Sequence, residues 1–482
     1  MRLPHRPTVY EINTAVWLRR LGCTLGEVPS GVWDELAALP VDAVWLMGVW
    51  ERSPAGLAIA EADPTLDAGN RAALPDLRAE DVIGSPYCVR DYVVDERFGG
   101  GGGLAAARAE LAARGLGLVL DYVPNHVAPD HPWTVSRPAC FVAGSEEDLA
   151  RDPGAFLRTG AGVFARGRDP YFPPWPDVVQ LNAFSAELRD AVADTLVAVG
   201  AQCDGLRCDM AMLMTNEVFA RTWGARVGPV PEKEFWSLLI GRVKAAHPDF
   251  VFIAEAYWDM EWTLQQQGFD YCYDKRLYDR LAHEGAESVR GHLQADAAYQ
   301  ERLVRFIENH DEPRAAATFG PGQARAAAVV VSTLQGARLY HDGQLDGLRT
   351  RIPVFLDRGP SESPDSDLRA FYGRLLAAVA ESGLRDGDWR MCAVTGWPDN
   401  DSWRRLVAWC WPRELVVVNL SDTSAQARVH VPWDDLGGRS WGLRDRLSGA
   451  TFERGGDELA AEGLYVGVDP WGFHFLHMST PA

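Results

Sequence analysis

The 482-residue sequence predicts an α/β architecture: a (β/α)8 barrel with a small domain inserted after its third strand and a C-terminal antiparallel β-sandwich. Three observations carry that expectation. Short apolar, β-branched runs alternate with helix-period segments over most of the chain, the rhythm of a closed parallel sheet with crossover helices. A stretch rich in Pro, Asp and Arg breaks the rhythm between His126 and Asn182; a loop of that length is functional or forms a subdomain. After about Arg385 the pattern turns to alternating strands separated by Pro, Gly and Asp turns, an all-β signature. The expected division is 1–126 for the first part of the barrel, 127–182 for the insert, 183–385 for the rest of the barrel and 386–482 for the β-domain.

The elements follow in order. Residues 8–13 (TVYEIN) read as a strand, 32–39 as a helix and 42–47 (DAVWLM) as the second strand. A helix-period segment over 104–114, closed by Gly115, feeds the strand 117–123. Five more strands are expected at 205–209, 250–255, 269–273, 304–308 and 337–340, with helical patterns at 186–199, 235–246 and 324–334. Beyond Arg385, 415–420 and 427–431 are the clearest strands. The run Gly99–Gly103 lacks the following Lys-Ser/Thr of a phosphate loop and reads as a turn opening a helix.

Composition narrows the function classes. With 47% hydrophobic and 24% charged residues the chain is globular, and no apolar run approaches the roughly 18 residues of a membrane helix. A net charge of −20 repels nucleic-acid backbones but sets no penalty on a neutral substrate. The expected partner is a small neutral molecule, with no nucleic acid and no membrane. Eight scattered cysteines without a Cys-x-x-Cys pair, behind an N-terminus lacking an apolar signal core, read as reduced thiols of a cytoplasmic protein.

The acidic residues fall where such barrels gather their chemistry, at the carboxyl ends of strands. Asp121 ends the third strand, Asp209 the fourth and Glu255 the fifth, and Asp311 follows the seventh. Each alone reads equally well as a helix N-cap or a solvated rim group. Together they would repel one another without compensation. Arg207, two residues before Asp209, shares its face of the strand and would keep it ionised, as a nucleophile requires. Glu255 has no basic neighbour in sequence and lies between Ala254 and Ala256, so it reads as a poorly solvated carboxyl able to act as an acid. One ionised and one protonatable carboxyl is the pairing that glycoside cleavage uses.

Four segments in order, 121–126 (DYVPNH), 205–209 (GLRCD), Ala254-Glu255 and 306–314 (FIENHDEPR), resemble the signatures of the α-amylase family of glycoside hydrolases, family 13. Gln180-Leu181-Asn182 resembles a minor signature. Ser85-Pro86-Tyr87 through Asp91-Tyr92 resembles the segment carrying an aromatic sugar platform. The resemblance implies Asp209 as nucleophile, Glu255 as general acid/base and Asp311 as transition-state stabiliser. It implies His126 and His310 as hydrogen-bond partners of the sugar, Arg207 orienting the nucleophile and Tyr87 stacking on the ring. Asp91, Trp175, Met212, Leu213, Trp258 and Arg314 are further candidates for substrate contact. The implied activity is retaining hydrolysis of α-glucosidic bonds in small gluco-oligosaccharides or glucosides through a covalent Asp209 intermediate.

No cofactor is implied for the chemistry. Calcium, a frequent structural ion of the family, would fall at Asn125; the alternative is an Asn that only hydrogen-bonds its loop. His126 and His131 are too sparse for a catalytic metal pair. Met212-Leu213 stand where many starch-degrading members carry Lys-His, which points away from long-chain endo-action and to a rebuilt, more apolar leaving-group side. Delivery of the intermediate to a sugar acceptor, as in a transglycosylase or isomerase, remains an open alternative, and a non-catalytic barrel scaffold is a third reading. Trp50, Trp175 and Trp258 read as subsite walls or as core in equal measure.

Overall fold

The computed structural model describes residues 2–480. Eight parallel strands close a barrel: β1 (Thr8–Asn13), β2 (Ala43–Met47), β3 (Gly117–Tyr122), β4 (Gly205–Cys208), β5 (Val251–Ala254), β6 (Tyr271–Tyr273), β7 (Leu303–Arg305) and β8 (Ala337–His341). Their order around the barrel is β1-β8-β7-β6-β5-β4-β3-β2, so each strand lies beside its neighbours in sequence, as expected. β2 and β3 are buried along their whole length, which is why their sequences are apolar runs rather than alternations. Helices Gly100–Ala113, Ala186–Gly200, Phe235–Ala246 and Pro321–Thr333 lie between successive strands. The glycine run opens the first of these, and Ser185 caps the second by accepting the Leu188 N–H.

The chain forms two compact units. One holds residues 9–273 with 350–361 and a short segment before residue 5; the other holds 5–8, 274–349 and the chain from 362 onward. In the first unit, two excursions leave the strand–helix rhythm. After β2, short strands Trp50–Arg52 and Val89–Val94 pair antiparallel around helices Pro54–Glu61 and Pro64–Ala73. After β3, His126–Val127 pairs with Val179–Gln180, and between them Phe156–Thr159 and Gly162–Ala165 form a hairpin. The stretch read as an interruption therefore has β structure of its own.

The second unit ends in two antiparallel sheets. One contains β9 (Arg390–Met391), β11 (Leu406–Trp411), β12 (Glu414–Asn419), β14 (Ser440–Asp445), β15 (Thr451–Gly455) and β17 (Phe473–Ser479); the other contains β10 (Ala393–Thr395), β13 (Ala425–His430) and β16 (Leu464–Val468). Leu406, Ala408, Leu415, Val417 and Leu476 of the larger sheet share one core with Ala427, Val429, Leu464 and Val466 of the smaller. That is the expected sandwich. Trp409, Trp411 and Trp441 are buried in this region. No helix among the described residues is long and apolar enough to cross a membrane.

Candidate active site

The site in the first unit begins with backbone register. β4 and β5 run parallel with Cys208 opposite Ala254. The ladder continues one residue past both: the Asp209 N–H donates to the Tyr122 carbonyl at 2.8 Å and the Glu255 N–H to the Cys208 carbonyl at 3.0 Å. Asp209 and Glu255 therefore leave adjacent strand ends at the same level.

Arg207 joins them. Its Nη1 lies 2.7 Å from Asp209 Oδ1 and its Nη2 lies 2.8 Å from Glu255 Oε2, with Asp121 Oδ1 at 3.9 Å from Nη1. Two carboxylates on the two terminal nitrogens of one planar guanidinium sit side by side. The guanidinium is 1% exposed and lies against the rings of Trp45, Tyr87 and Tyr273, 5.3–5.7 Å from their centroids. Burial weakens such a charge, but Glu255 first, then Tyr87, Tyr273 and Asp209, hold it well above the ordinary arginine range.

Glu255 has no basic neighbour in sequence, but the adjacent strand brings one, Arg207, which a reading along one strand does not reveal. Two more donors grip the same carboxylate. The Met210 N–H donates to Oε2 at 2.6 Å, and the Tyr257 hydroxyl donates to Oε1 at 2.9 Å. Met210 takes the left-handed conformation, φ 40°.

Asp121 holds the next layer. Its Oδ2 accepts the Gly48 N–H at 2.8 Å, and its carbonyl accepts Trp50 Nε1 at 2.7 Å. Gly48 has φ 77°, and a Cβ there would lie 2.6 Å from the Pro86 Cβ. Only a bare Cα lets the Ser85–Tyr87 turn approach this closely. Tyr87 is thereby placed over Arg207. His126 is buried beside it, its pKa pushed down to about 4 by desolvation against an opposing hydrogen bond to the Tyr87 backbone, so the imidazole is neutral near pH 7. Its ring lies 5.1 Å from that of Trp175. Tyr87, His126, Trp175, Arg207, Asp209 and Glu255 thus form one neighbourhood.

The second unit holds the remaining expected pair. His310 Nε2 is 3.0 Å from Asp311 Oδ2, with His310 buried and the Asp311 side chain 40% exposed. Asn309 Oδ1 accepts the N–H groups of Asp311, at 2.9 Å, and Glu312, at 2.8 Å, a turn that fixes the acid just beyond β7.

Other candidates are placed differently. Met212 and Leu213 lie in the short helix Ala211–Met214 with both side chains buried. Arg314 is a buried partner of Glu308, at 2.6 Å, and of the Asp342 carbonyl, at 2.8 Å. Trp50 is buried core. Asp91 accepts the Tyr92 N–H at 2.8 Å and acts electrostatically on buried His131. Trp258, at φ 62°, meets Tyr171 edge-on at 4.8 Å, and the Tyr171 hydroxyl accepts Arg221 Nη2 at 3.0 Å.

Calcium does not fit at Asn125. Its Oδ1 accepts Gln180 Nε2 at 2.9 Å and its Nδ2 lies 3.3 Å from His126 Nδ1, whereas a hard cation needs several oxygens. Among the described residues no group of three His, Cys, Asp or Glu side chains could hold a metal. The loop-bonding alternative describes this Asn. Sequence reasoning missed Trp45, Tyr273 and Tyr257. Tyr257 carried a usable signal: it stands two residues from Glu255, the offset that tied Arg207 to Asp209.

No family model matches the chain. An α-amylase of Haloarcula japonica is 26% identical over 356 residues, 72% of this chain and 44% of that protein. An α-1,4-glucan:maltose-1-phosphate maltosyltransferase of Burkholderia pseudomallei is 28% identical over 202 residues, 40% of this chain and 15% of that protein. The chain thus spans less than half the length of either relative. A maltogenic α-amylase from Thermotoga neapolitana has the same fold, with a TM-score of 0.67, 17% identity and 99% of both chains covered. The barrel and these relatives agree with the resemblance to the α-amylase family of glycoside hydrolases that the ordered motifs carry.

Proposed function

We propose that the protein is a retaining α-glycosidase acting on α-glucosidic bonds of small gluco-oligosaccharides or glucosides. The observation that carries the reading is the single guanidinium of Arg207 holding Asp209 and Glu255 together. A guanidinium shared by the two carboxyls keeps them close, which favours the roughly 5–5.5 Å spacing of retaining enzymes over the wider inverting gap. Glu255 protonates the glycosidic oxygen while Asp209 attacks the anomeric carbon; the aglycone leaves as an alcohol and a β-glycosyl ester of Asp209 forms. The Glu255 carboxylate then takes a proton from water, which opens the ester and releases the α-product. Tyr87 and Trp175 offer ring faces to the sugar, and neutral His126 offers a hydrogen bond. The Haloarcula relative, an α-amylase, favours an α-glucan-derived substrate.

Incubation with aryl α-glucoside, maltose, maltotriose, starch and sucrose, followed by NMR, should show the α-anomer first. Asp209→Asn should lower turnover by at least about a thousandfold with the fold intact. A β-anomer appearing first, or near-native rates in the variant, refutes the assignment. A second reading, transfer of the same intermediate to a sugar acceptor, is favoured by the maltosyltransferase relative. It predicts oligosaccharide products that grow with added acceptor.

A further inference from the structure

We propose that Tyr257 is a positioning residue for the acid/base: its hydroxyl holds Oε1 of Glu255 and sets how readily that carboxyl gives up its proton. The inference rests on the reaction proposed above and concerns a residue outside the family motifs.

The two oxygens of Glu255 are not equivalent. Oε2 accepts the Met210 N–H at 2.6 Å and pairs ionically with Arg207 Nη2 at 2.8 Å. A proton added to Oε2 would face an N–H donor and a cationic nitrogen, so the proton handed to the leaving group belongs on Oε1. That oxygen is the one the Tyr257 hydroxyl reaches, at 2.9 Å. While Glu255 is ionised the hydroxyl donates to Oε1 and stabilises the carboxylate; once Oε1 is protonated the hydroxyl must rotate away or accept. Tyr257 therefore favours the basic form of Glu255, the form needed to activate water.

The other groups bearing on this carboxyl are fixed by separate elements. β4 supplies Arg207, with Asp209 just beyond its end; β6 supplies Tyr273, which interacts electrostatically with Glu255; β3 supplies Asp121 through Arg207. Tyr257 lies outside the strands, half-buried in the segment after β5. Its substitution can alter Oε1 while leaving the Arg207 fork in place.

The test is the pH profile of kcat/KM for Tyr257→Phe on maltose, beside a carbon-13 NMR titration of the Glu255 carboxyl. Loss of a donor to the charged form should move the alkaline limb to higher pH by about one unit, with the acidic limb unchanged. The NMR midpoint should move the same way. Incorporation of 3-fluorotyrosine at position 257, a stronger donor, should move both to lower pH. A uniform loss of rate at every pH, or unmoved limbs and midpoint, overturns the inference and leaves the proposed reaction standing. Wild-type rates in Glu255→Gln overturn the reaction itself, and the NMR titration then judges Tyr257 alone.

Discussion

Replacing Arg207 by methionine removes the cation shared by Asp209, Glu255 and Asp121. All three side chains are at most 10% exposed, so water cannot take over the role of the guanidinium. Breaking a buried ion pair from one side costs about 3–5 kcal/mol, and here one truncation strands two ion-paired carboxylates, so the upper end is expected at pH 7. The cost belongs to the ionised forms. In the variant these carboxyls bind protons more tightly folded than unfolded, so its deficit relative to wild type shrinks as pH falls from 7 toward 5. Urea unfolding followed by tryptophan fluorescence at several pH values reads both quantities. Arg207→Lys separates charge from geometry: one ammonium restores much of the stability but cannot span two carboxylates, so turnover stays low. A loss below about 1 kcal/mol in Arg207→Met without pH dependence, or wild-type turnover in the lysine variant, would refute the shared-cation argument.

Two further predictions concern the surrounding layer. His126 and His131 are both held near pKa 4 by burial, against an ordinary value of 6.5. The native state thus binds fewer protons than the unfolded chain between those values. Stability is full above pH 6.5 and declines as pH falls toward 4, by up to about 3 kcal/mol for each imidazole. Urea midpoints from pH 8 to 4 should show this slope, and His131→Gln should flatten it; an unchanged slope in that variant contradicts the assignment. Gly48→Ala places a Cβ against Pro86 at a positive φ; about 1–3 kcal/mol of stability should be lost, and KM should rise as Tyr87 is displaced. Wild-type Tm and KM would show that the turn does not depend on that close approach.

The parts of the fold legible in the sequence are those written in local pattern. β2 and β3 declare themselves because strands buried on both faces must be apolar throughout. Asp209, Glu255 and Asp311 stand out in the sequence as candidates because barrels place chemistry at the carboxyl ends of strands. What stays hidden depends on neighbours distant in sequence. The ion pair of Arg207 with Glu255 follows from the register of β4 on β5. The burial of Met212 and Leu213 follows from a single helical turn whose direction the residue types do not encode. Arg314 looks like a free cation beside a motif until Glu308, six residues earlier, is found to take it.

The electrostatic balance at Arg207 also bears on why the cluster is kept despite its cost. One guanidinium contacts two carboxylates directly, with a third at 3.9 Å, so the neighbourhood carries more negative than positive charge whenever all are ionised. A neutral sugar in its ground state gains little from that surplus. The oxocarbenium-like transition state of glycoside cleavage carries positive charge at the anomeric carbon and gains from it selectively, which is the condition for raising kcat rather than lowering KM. On the proposed reaction Arg207 therefore has two opposed tasks. It must supply enough charge to keep buried carboxylates together, yet not so much as to cancel the field that favours the cationic transition state. A second cation beside Asp121 would stabilise the fold and slow the chemistry. That trade accords with a site in which aromatic rings lie against Arg207.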